Sequence, residues 1–270
     1  MKHLLIIILA IGCGVVLFLG NAHWNERTGL SKQEPAQERK DSEPDTKTSK
    51  AEAPSSTSKI TLEEFEVLSQ NWPDAAKKQF ELSLQKEEPF KIVLAGSEAL
   101  GNETNGWAQL TKAELEKAYG TDTIDVIIHT FNGTSMDFSA ENKAKELAAL
   151  KPDLILLEPL TLNDNGEVRI EDSHTHISNW IQTVKTENPE AVFIIQPPHP
   201  IYQASYYPVQ VDELKKYAEA NEIPYLDHWA AWPDPQGEEI SNYLTEEGDV
   251  PNEQGHLLWS QFVNEYFISK

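Results

Sequence analysis

Five short apolar runs, each followed by a helix-like stretch, constrain the fold of this chain more than any other feature. The runs have strand length and read KIVLA (91–95), IDVIIHT (124–130), DLILLEP (153–159), AVFIIQP (191–197) and IPYLDHW (223–229). Helix-compatible segments lie around residues 106–119, 138–150, 173–187, 210–221 and 253–268. Continuous apolar strands that alternate with helices are typical of a parallel sheet covered on both faces. The pattern predicts an α/β fold, a three-layer α/β/α sandwich with a five-stranded, mainly parallel sheet.

The segment before the first run, residues 60–85, has the pattern of one or two amphipathic helices broken near Pro73. Thr61 and Glu64 have the spacing of a capping box, which satisfies free amides at a helix start. We therefore expect the globular domain to span residues 59–270.

The N-terminus is apolar and the segment after it is polar. Residues 1–22 contain an uncharged run from Leu4 to Gly20, which as a helix rises about 25 Å and predicts a membrane anchor. A signal peptide cleaved near Ala22 and a lipoprotein modified at Cys13 are the alternatives. Lys2 favours a single-pass protein whose domain lies outside the cell. Residues 23–58, rich in Ser, Thr, Pro, Glu and Lys, are predicted to form a disordered tether.

The charge of the chain excludes one class of partner. The formal net charge is -22, and the acidic excess lies entirely after residue 58. Such a field repels nucleic acid and anionic membrane surfaces, so we expect no nucleic-acid partner.

Cys13 is the single cysteine, so no disulfide can form within the chain. The oligomeric state is not readable from the sequence.

Polar residues follow the strand-like runs, where ligands gather in parallel sheets. They include Ser97 after the first run, Gly133 after the second, Asn163 beyond the third and His199 after the fourth. Ser97 alone is explained as a helix cap. Together, however, these residue types fit acyl transfer, in which a serine attacks a carbonyl and fixed donors hold the oxyanion.

Four segments resemble the conserved blocks of the SGNH, or GDSL, hydrolases, whose fold is flavodoxin-like. AGSEALG resembles the Gly-Asp-Ser-Leu block, with Ser97 and Gly101 matching and Ala95, Gly96 and Glu98 departing. FNGTS resembles the second block and LTLNDNG the third. The resemblance implies a Ser97 nucleophile and an oxyanion hole formed by the Ser97 and Gly133 N–H groups and the Asn163 side chain.

The last block, GDVPNEQGHLLWSQF, resembles the segment that carries the family's catalytic histidine. Alignment on the Pro-Asn pair puts Val250 at the histidine position. We therefore predict His256 as the general base, with Asp249 or else Glu247 orienting its ring. His199 is the second candidate for the base.

The resemblance implies a serine esterase that needs no cofactor and acts on carboxylic esters. Export suggests small-molecule or glycan esters of the cell envelope, carrying acetyl or lipid groups. The alternative is a catalytically inactive domain of this fold that binds an envelope glycan or protein.

Three further clusters are better explained structurally. His174 and His176 are spaced wrongly for one metal ion on a helix. Asp227 and His228, beside Trp229 and Trp232, fit packing better than a wall of a substrate cleft. The stretch 161–173 lacks the spacing of a calcium loop and is expected to be a solvated turn.

Overall fold

A computed structural model of the chain describes residues 60–269. The predicted membrane segment (1–22) and the predicted tether (23–58) lie outside these residues. Within them, no helix combines the length and apolarity needed to cross a bilayer.

The described chain alternates helices and strands in the predicted order. The helices are α1 (Leu62–Leu68), α2 (Asp74–Lys86), α3 (Trp107–Tyr119), α4 (Ser135–Ala140), α5 (Lys143–Ala149), α6 (Ile170–Glu187), α7 (Tyr207–Ala220) and α8 (Glu253–Phe267). The strands are β1 (Phe90–Gly96), β2 (Ile124–Thr130), β3 (Leu154–Leu157) and β4 (Val192–Ile195). Short 3₁₀ turns cover Glu98–Leu100, His228–Ala231 and Glu238–Tyr243.

Helix α1 begins as the sequence predicts. The Thr61 hydroxyl accepts the Glu64 N–H at 3.2 Å, and the Glu64 carboxylate accepts the Thr61 N–H at 2.8 Å. This reciprocal pair is a capping box. Helix α2 then begins directly after Pro73, so the predicted break between two helices is confirmed.

The sheet is parallel, with the strand order β2-β1-β3-β4. The predicted fifth strand is wrong in extent, because residues 223–229 contribute a single parallel bridge between Tyr225 and Ile195. Pro224 has no N–H to donate, and neither of the two prolines that follow β4 can extend the ladder. The chain instead turns into the 3₁₀ segment that begins at His228.

Side chains that alternate along the strands form two cores, one on each face of the sheet. Phe90, Ile92 and Leu94 of β1 pack in the core that includes residues of α1, α2, α3 and α8. Val93 and Ala95 pack in the core that includes residues of α4, α5, α6 and α7. The three-layer sandwich is thus confirmed.

This arrangement places a topological switch point between β1 and β3. The helix after β1 packs on one face of the sheet, whereas the helix after β3 packs on the other. The two connections leave the neighbouring strands in opposite directions and open a crevice at their carboxyl ends. In open α/β sheets this is the usual place for a ligand.

Candidate active site

Ser97 directly follows β1 at the switch point. It has extended backbone angles (φ −74°, ψ −178°), and its Oγ accepts the Ala99 N–H at 3.2 Å, so it caps the turn Glu98–Leu100. The residue is buried, with 4% of its surface exposed. The capping role considered for this serine is therefore observed, and it also fixes the hydroxyl at the strand end.

Glu158, the first residue after β3, lies against Ser97. One carboxyl oxygen, Oε2, accepts the Ser97 N–H at 2.7 Å, and Oε1 accepts the Leu160 N–H at 3.0 Å. The side chain is completely buried. Desolvation raises the pKa of Glu158, and hydrogen bonding from Ser97 opposes this rise. The sequence reasoning missed this residue, although an acidic side chain at the end of the apolar run DLILLEP was a visible signal.

This contact corrects one prediction about the oxyanion hole. The Ser97 N–H was expected to hold an oxyanion, but it donates to the Glu158 carboxyl at 2.7 Å. A carboxyl group at this distance is a strong competitor for the one hydrogen of an amide. In this structure the Ser97 N–H is therefore not a free donor.

Gly133 lies in the turn between β2 and α4. Its φ is +146°, and a Cβ added there would lie 2.9 Å from the Phe131 ring and 3.2 Å from Asp137. Both the backbone angle and the close ring require glycine. Within residues 60–269 the Gly133 N–H donates to no other group, so it is free to bind a ligand.

Asn163 and Asp164 lie in the loop between β3 and α6. The half-buried Asn163 side chain makes no hydrogen bond within the described part of the chain. Asp164 is completely buried, and its Oδ1 accepts the Ser135 N–H at 2.7 Å. The expectation of a solvated turn is wrong at Asp164, which joins this loop to the turn that holds Gly133.

The two helical histidines are packed separately. The His176 Nδ1 lies 2.9 Å from the Ser135 Oγ, and the His174 ring lies 4.7 Å from the Tyr217 ring, centroid to centroid. Among residues 60–269, no group of three His, Cys, Asp or Glu side chains could hold a metal ion. These contacts support the structural interpretation of both histidines.

His256 lines a cavity that also has Glu98, the residue directly after Ser97, on its wall. The cavity has a volume of about 440 Å³, and its walls include Glu98, Ala99, Gly101, Thr130, Val250 and His256. The imidazole Nδ1 accepts the Trp107 N–H at 3.3 Å. Burial lowers the pKa of His256 to about 4, which keeps the ring neutral at pH 7. Because Nδ1 accepts this bond, the neutral ring carries its hydrogen on Nε2.

The structure does not bring Asp249 to His256, and this prediction is wrong. The Asp249 carboxylate accepts the Thr245 hydroxyl at 3.3 Å. Within residues 60–269, no carboxylate forms a hydrogen bond or ion pair with His256, and this includes the carboxylate of Glu247. The His256 ring is held instead by the main-chain N–H of Trp107. The reason is the turn at Gly248 (φ +76°), where the Thr245 N–H donates to the Val250 carbonyl. This turn leaves Asp249 exposed and puts Val250 on the cavity wall.

His199 is the second imidazole near this edge. It is buried, its Nε2 lies 2.9 Å from the Asp249 carbonyl oxygen, and burial lowers its pKa to about 4. A carbonyl can only accept, so Nε2 donates and Nδ1 holds the lone pair. Among the described residues, Nδ1 has no hydrogen-bond partner.

His228 is a core residue, as expected. Its ring stacks on Trp259 at a centroid distance of 4.1 Å and lies 2.8 Å from the Pro197 carbonyl oxygen through Nε2. The Trp232 indole N–H donates to its Nδ1 at 2.9 Å. Both ring nitrogens are satisfied, and burial lowers the pKa of His228 to about 3. The neighbouring Asp227 forms an ion pair with Lys215 at 3.0 Å.

Comparisons with solved structures identify the fold. A lipolytic protein of the G-D-S-L family from Desulfitobacterium hafniense superposes with a TM-score of 0.53 at 20% identity, covering 65% of this chain and 98% of that one. A carbohydrate esterase family 3 protein from Talaromyces cellulolyticus gives a TM-score of 0.54 at 16% identity, covering 65% and 94%. An acetylxylan esterase from Geobacillus stearothermophilus gives 0.53 at 15% identity, covering 66% and 94%.

The domain therefore has the SGNH/GDSL hydrolase fold, as the four sequence blocks indicated. No family model matches the chain, and a comparison with curated protein sequences finds no match.

Proposed function

We propose that this domain is a serine esterase with Ser97 as the nucleophile. The observation that carries the proposal is the place of Ser97: its hydroxyl caps the turn at the carboxyl end of β1, and the two residues that follow it, Glu98 and Ala99, line a cavity together with the neutral His256. A serine attacks an ester when a base takes its proton and donors hold the oxyanion, and water then releases the acyl group. The esterase names of the structural relatives support this reading.

We assign the proton transfer to His256. Among the imidazoles of residues 60–269, it is the one that lines the cavity formed with Glu98 and Ala99, the residues that follow Ser97. As a base it needs the tautomer with hydrogen on Nδ1, which gives up the bond from the Trp107 N–H. That bond is 3.3 Å long, slightly beyond the usual range and therefore weak, but giving it up leaves the buried Trp107 N–H without this acceptor. His199 is the rival because its Nδ1 is already unprotonated and without a partner.

For the oxyanion we propose two donors, the Gly133 N–H and the Asn163 side-chain amide. Neither has another hydrogen-bond partner in the described residues. The bond between Asp164 and Ser135 holds their two loops together at one edge of the sheet. The Gly133 N–H is fixed by its backbone turn before a substrate arrives, which is what stabilisation of developing charge requires, and the unpaired Asn163 amide supplies the second donor.

We propose acetyl or other short acyl esters of the cell envelope as substrates. The cavity of about 440 Å³ lies within the range of small-molecule sites. A groove of about 710 Å³ that shares Gly101, Asn102 and Thr130 with it provides polar side chains for the alcohol part. The envelope setting rests on the predicted export of the domain.

The test is reaction of the full-length protein with a fluorophosphonate probe. We expect the wild type to be labelled and Ser97→Ala to lose labelling and at least about a thousandfold of its ester hydrolysis. Ser135→Ala is the matched control, because the Ser135 hydroxyl lies 2.9 Å from the His176 ring but the residue is completely buried. Labelling that survives in Ser97→Ala and vanishes in Ser135→Ala would contradict the assignment.

The substrate is tested with acetylated wall glycans and with nitrophenyl esters of short and long acyl chains. We expect hydrolysis of the acetyl compounds. Activity confined to long acyl chains would reject the acetyl assignment.

A second candidate is an inactive domain of this fold that binds an envelope glycan or protein. It is favoured by one observation: the Ser97 N–H is occupied by Glu158, and the serine is only 4% exposed. A folded wild-type protein that neither reacts with the probe nor hydrolyses any of these esters would support this candidate over the esterase.

A further inference from the structure

Position 96 has no side chain, and the carboxyl group of Glu158 fills the space beside it. A Cβ added to Gly96 would lie 2.7 Å from the Glu158 Oε2 and 2.8 Å from the Glu158 Cβ. The same Cβ would lie 2.5 Å from the Leu100 Cδ1, so a larger residue requires both Glu158 and Leu100 to move. The Gly-Asp-Ser block has its aspartate at this position, so this chain replaces that acidic residue with glycine and brings an acid from the neighbouring strand.

The carboxyl group joins the ends of the two strands at the switch point. It accepts one N–H from Ser97 after β1 and another from Leu160 after β3. A buried carboxyl group needs such donors, because burial without hydrogen bonds is costly. Each bond fixes the peptide group that donates it.

We propose that Glu158 is a positioning residue for the Ser97 nucleophile, holding the peptide between Gly96 and Ser97 and thereby fixing where the serine hydroxyl lies at the end of β1. The inference rests on the proposed esterase function. The orientation of this peptide sets the direction of the Cα–Cβ bond of Ser97, and small errors in the placement of a reacting atom are costly in rate. Glu158 acts through Ser97 and binds no substrate itself.

The sheet supplies a matched contact at its other end. Asp153 precedes β3, and its Oδ2 accepts the Lys91 N–H of β1 at 2.7 Å. This is the same kind of bond between the same two strands, far along β1 from Ser97. Asp153 therefore serves as the control for a carboxylate that joins the two strands but lies away from Ser97.

The experiment compares Glu158→Gln with Asp153→Asn in the full-length protein, using a short nitrophenyl ester and the fluorophosphonate probe. A glutamine can accept at only one of the two N–H groups, because its other end is a donor. We expect Glu158→Gln to lower kcat and the labelling rate by about ten- to a hundredfold. KM should change by less than about threefold, since a positioning residue affects the reaction step. Asp153→Asn should leave the rates unchanged.

Two further measurements test the inference even if Glu158→Gln does not fold. Glu158→Asp keeps the acid but shortens it by one methylene, so it should show the same loss of kcat. In the wild type, the Ser97 amide should be strongly protected from hydrogen exchange, which needs no variant. Rapid exchange of this amide in the folded protein would overturn the inference.

The outcomes separate the two proposals. If the wild type is active and Glu158→Gln matches Asp153→Asn in rate, the positioning role is overturned and the esterase stands. If the wild type neither hydrolyses esters nor reacts with the probe, the esterase fails and the positioning role fails with it. Protection of the Ser97 amide would then report only a structural bond.

Discussion

The two ends of β1 differ in what surrounds them. At its start, Phe90 lies in a cluster of aromatic rings from α1, α2, α3 and α8, where Phe65 stacks on Phe80 at a centroid distance of 3.7 Å. Two polar groups of this cluster share one acceptor: the Trp72 indole N–H donates to the Phe267 carbonyl at 2.9 Å, and the Tyr119 hydroxyl donates to the same oxygen.

The carboxyl end of the sheet, where β1 ends, instead carries Glu158, Asp164 and His199, which are buried and polar. The Asp164 Oδ2 and the His199 Nδ1 have no partner within residues 60–269. Buried polar atoms without partners cost stability and are rare. Unpartnered atoms near the start of β1 include the hydroxyls of Ser69 and Thr123, whereas those at the carboxyl end include atoms of ionisable side chains. The two ends therefore differ in kind: aromatic packing dominates the first, and buried ionisable groups distinguish the second.

The largest effect should come from the histidines at the carboxyl end. We expect His256→Ala to lower kcat by about a hundred- to ten-thousandfold, the usual contribution of a general base. His199→Ala should reduce kcat much less, because His199 does not line the cavity. Steady-state kinetics on a short ester measure both variants. A larger loss in His199→Ala would transfer the role of base to His199.

At the other end of the strand we expect a large effect on stability alone. Phe80→Ala should lower the free energy of unfolding by about 3–5 kcal/mol, because it leaves a cavity in the aromatic cluster. Val67→Ala, at an exposed position of α1, should cost less than about 0.5 kcal/mol. Urea unfolding measures both. A loss of kcat in folded Phe80→Ala would show that the two ends are coupled.

A smaller effect for each residue is expected when the pH is lowered: the histidines at the carboxyl end of the sheet should reduce the free energy of unfolding. His199 and His256 have pKa values of about 4 in the folded chain, against about 6.5 unfolded, so the unfolded state binds more protons as the pH falls below 6.5. Stability is therefore lost on going from pH 7 to pH 5, by at most about 2 kcal/mol for each histidine. The raised pKa of Glu158 acts in the opposite direction.

Urea unfolding of the wild type and of His256→Gln at both pH values measures this effect. The variant should lose less stability between pH 7 and pH 5 than the wild type. Equal losses in the two proteins would show that His256 does not titrate with a depressed pKa.

Much of the fold was predictable because it depends on local patterns. Apolar runs separated by amphipathic segments predicted the order of the elements, and the capping box at Thr61 predicted the start of α1. The fifth strand was overestimated. Its apolar residues pack as expected, but prolines limit its pairing to one bridge at Tyr225.

The site was predicted less completely, because side chains from distant segments meet there. Ser97, Gly133 and Asn163 were predicted from their places after strands, and their roles in the site stay predictions. The contacts of Asp249 and Glu158 were not predicted. A turn at Gly248 directs Asp249 away from His256, and the absence of a side chain at Gly96 leaves space for Glu158.

The sequence by itself determined the layers of this protein, the order of its elements and the strand end at which Ser97 lies. These features follow from apolar periodicity and from turn residues close to each other in the chain. Only the tertiary structure decided which group binds the Ser97 N–H, which atoms hold His256 and which nitrogen of each ring is free. Those outcomes depend on distances between segments about 60 to 150 residues apart, where a shift of one ångström makes or breaks a hydrogen bond.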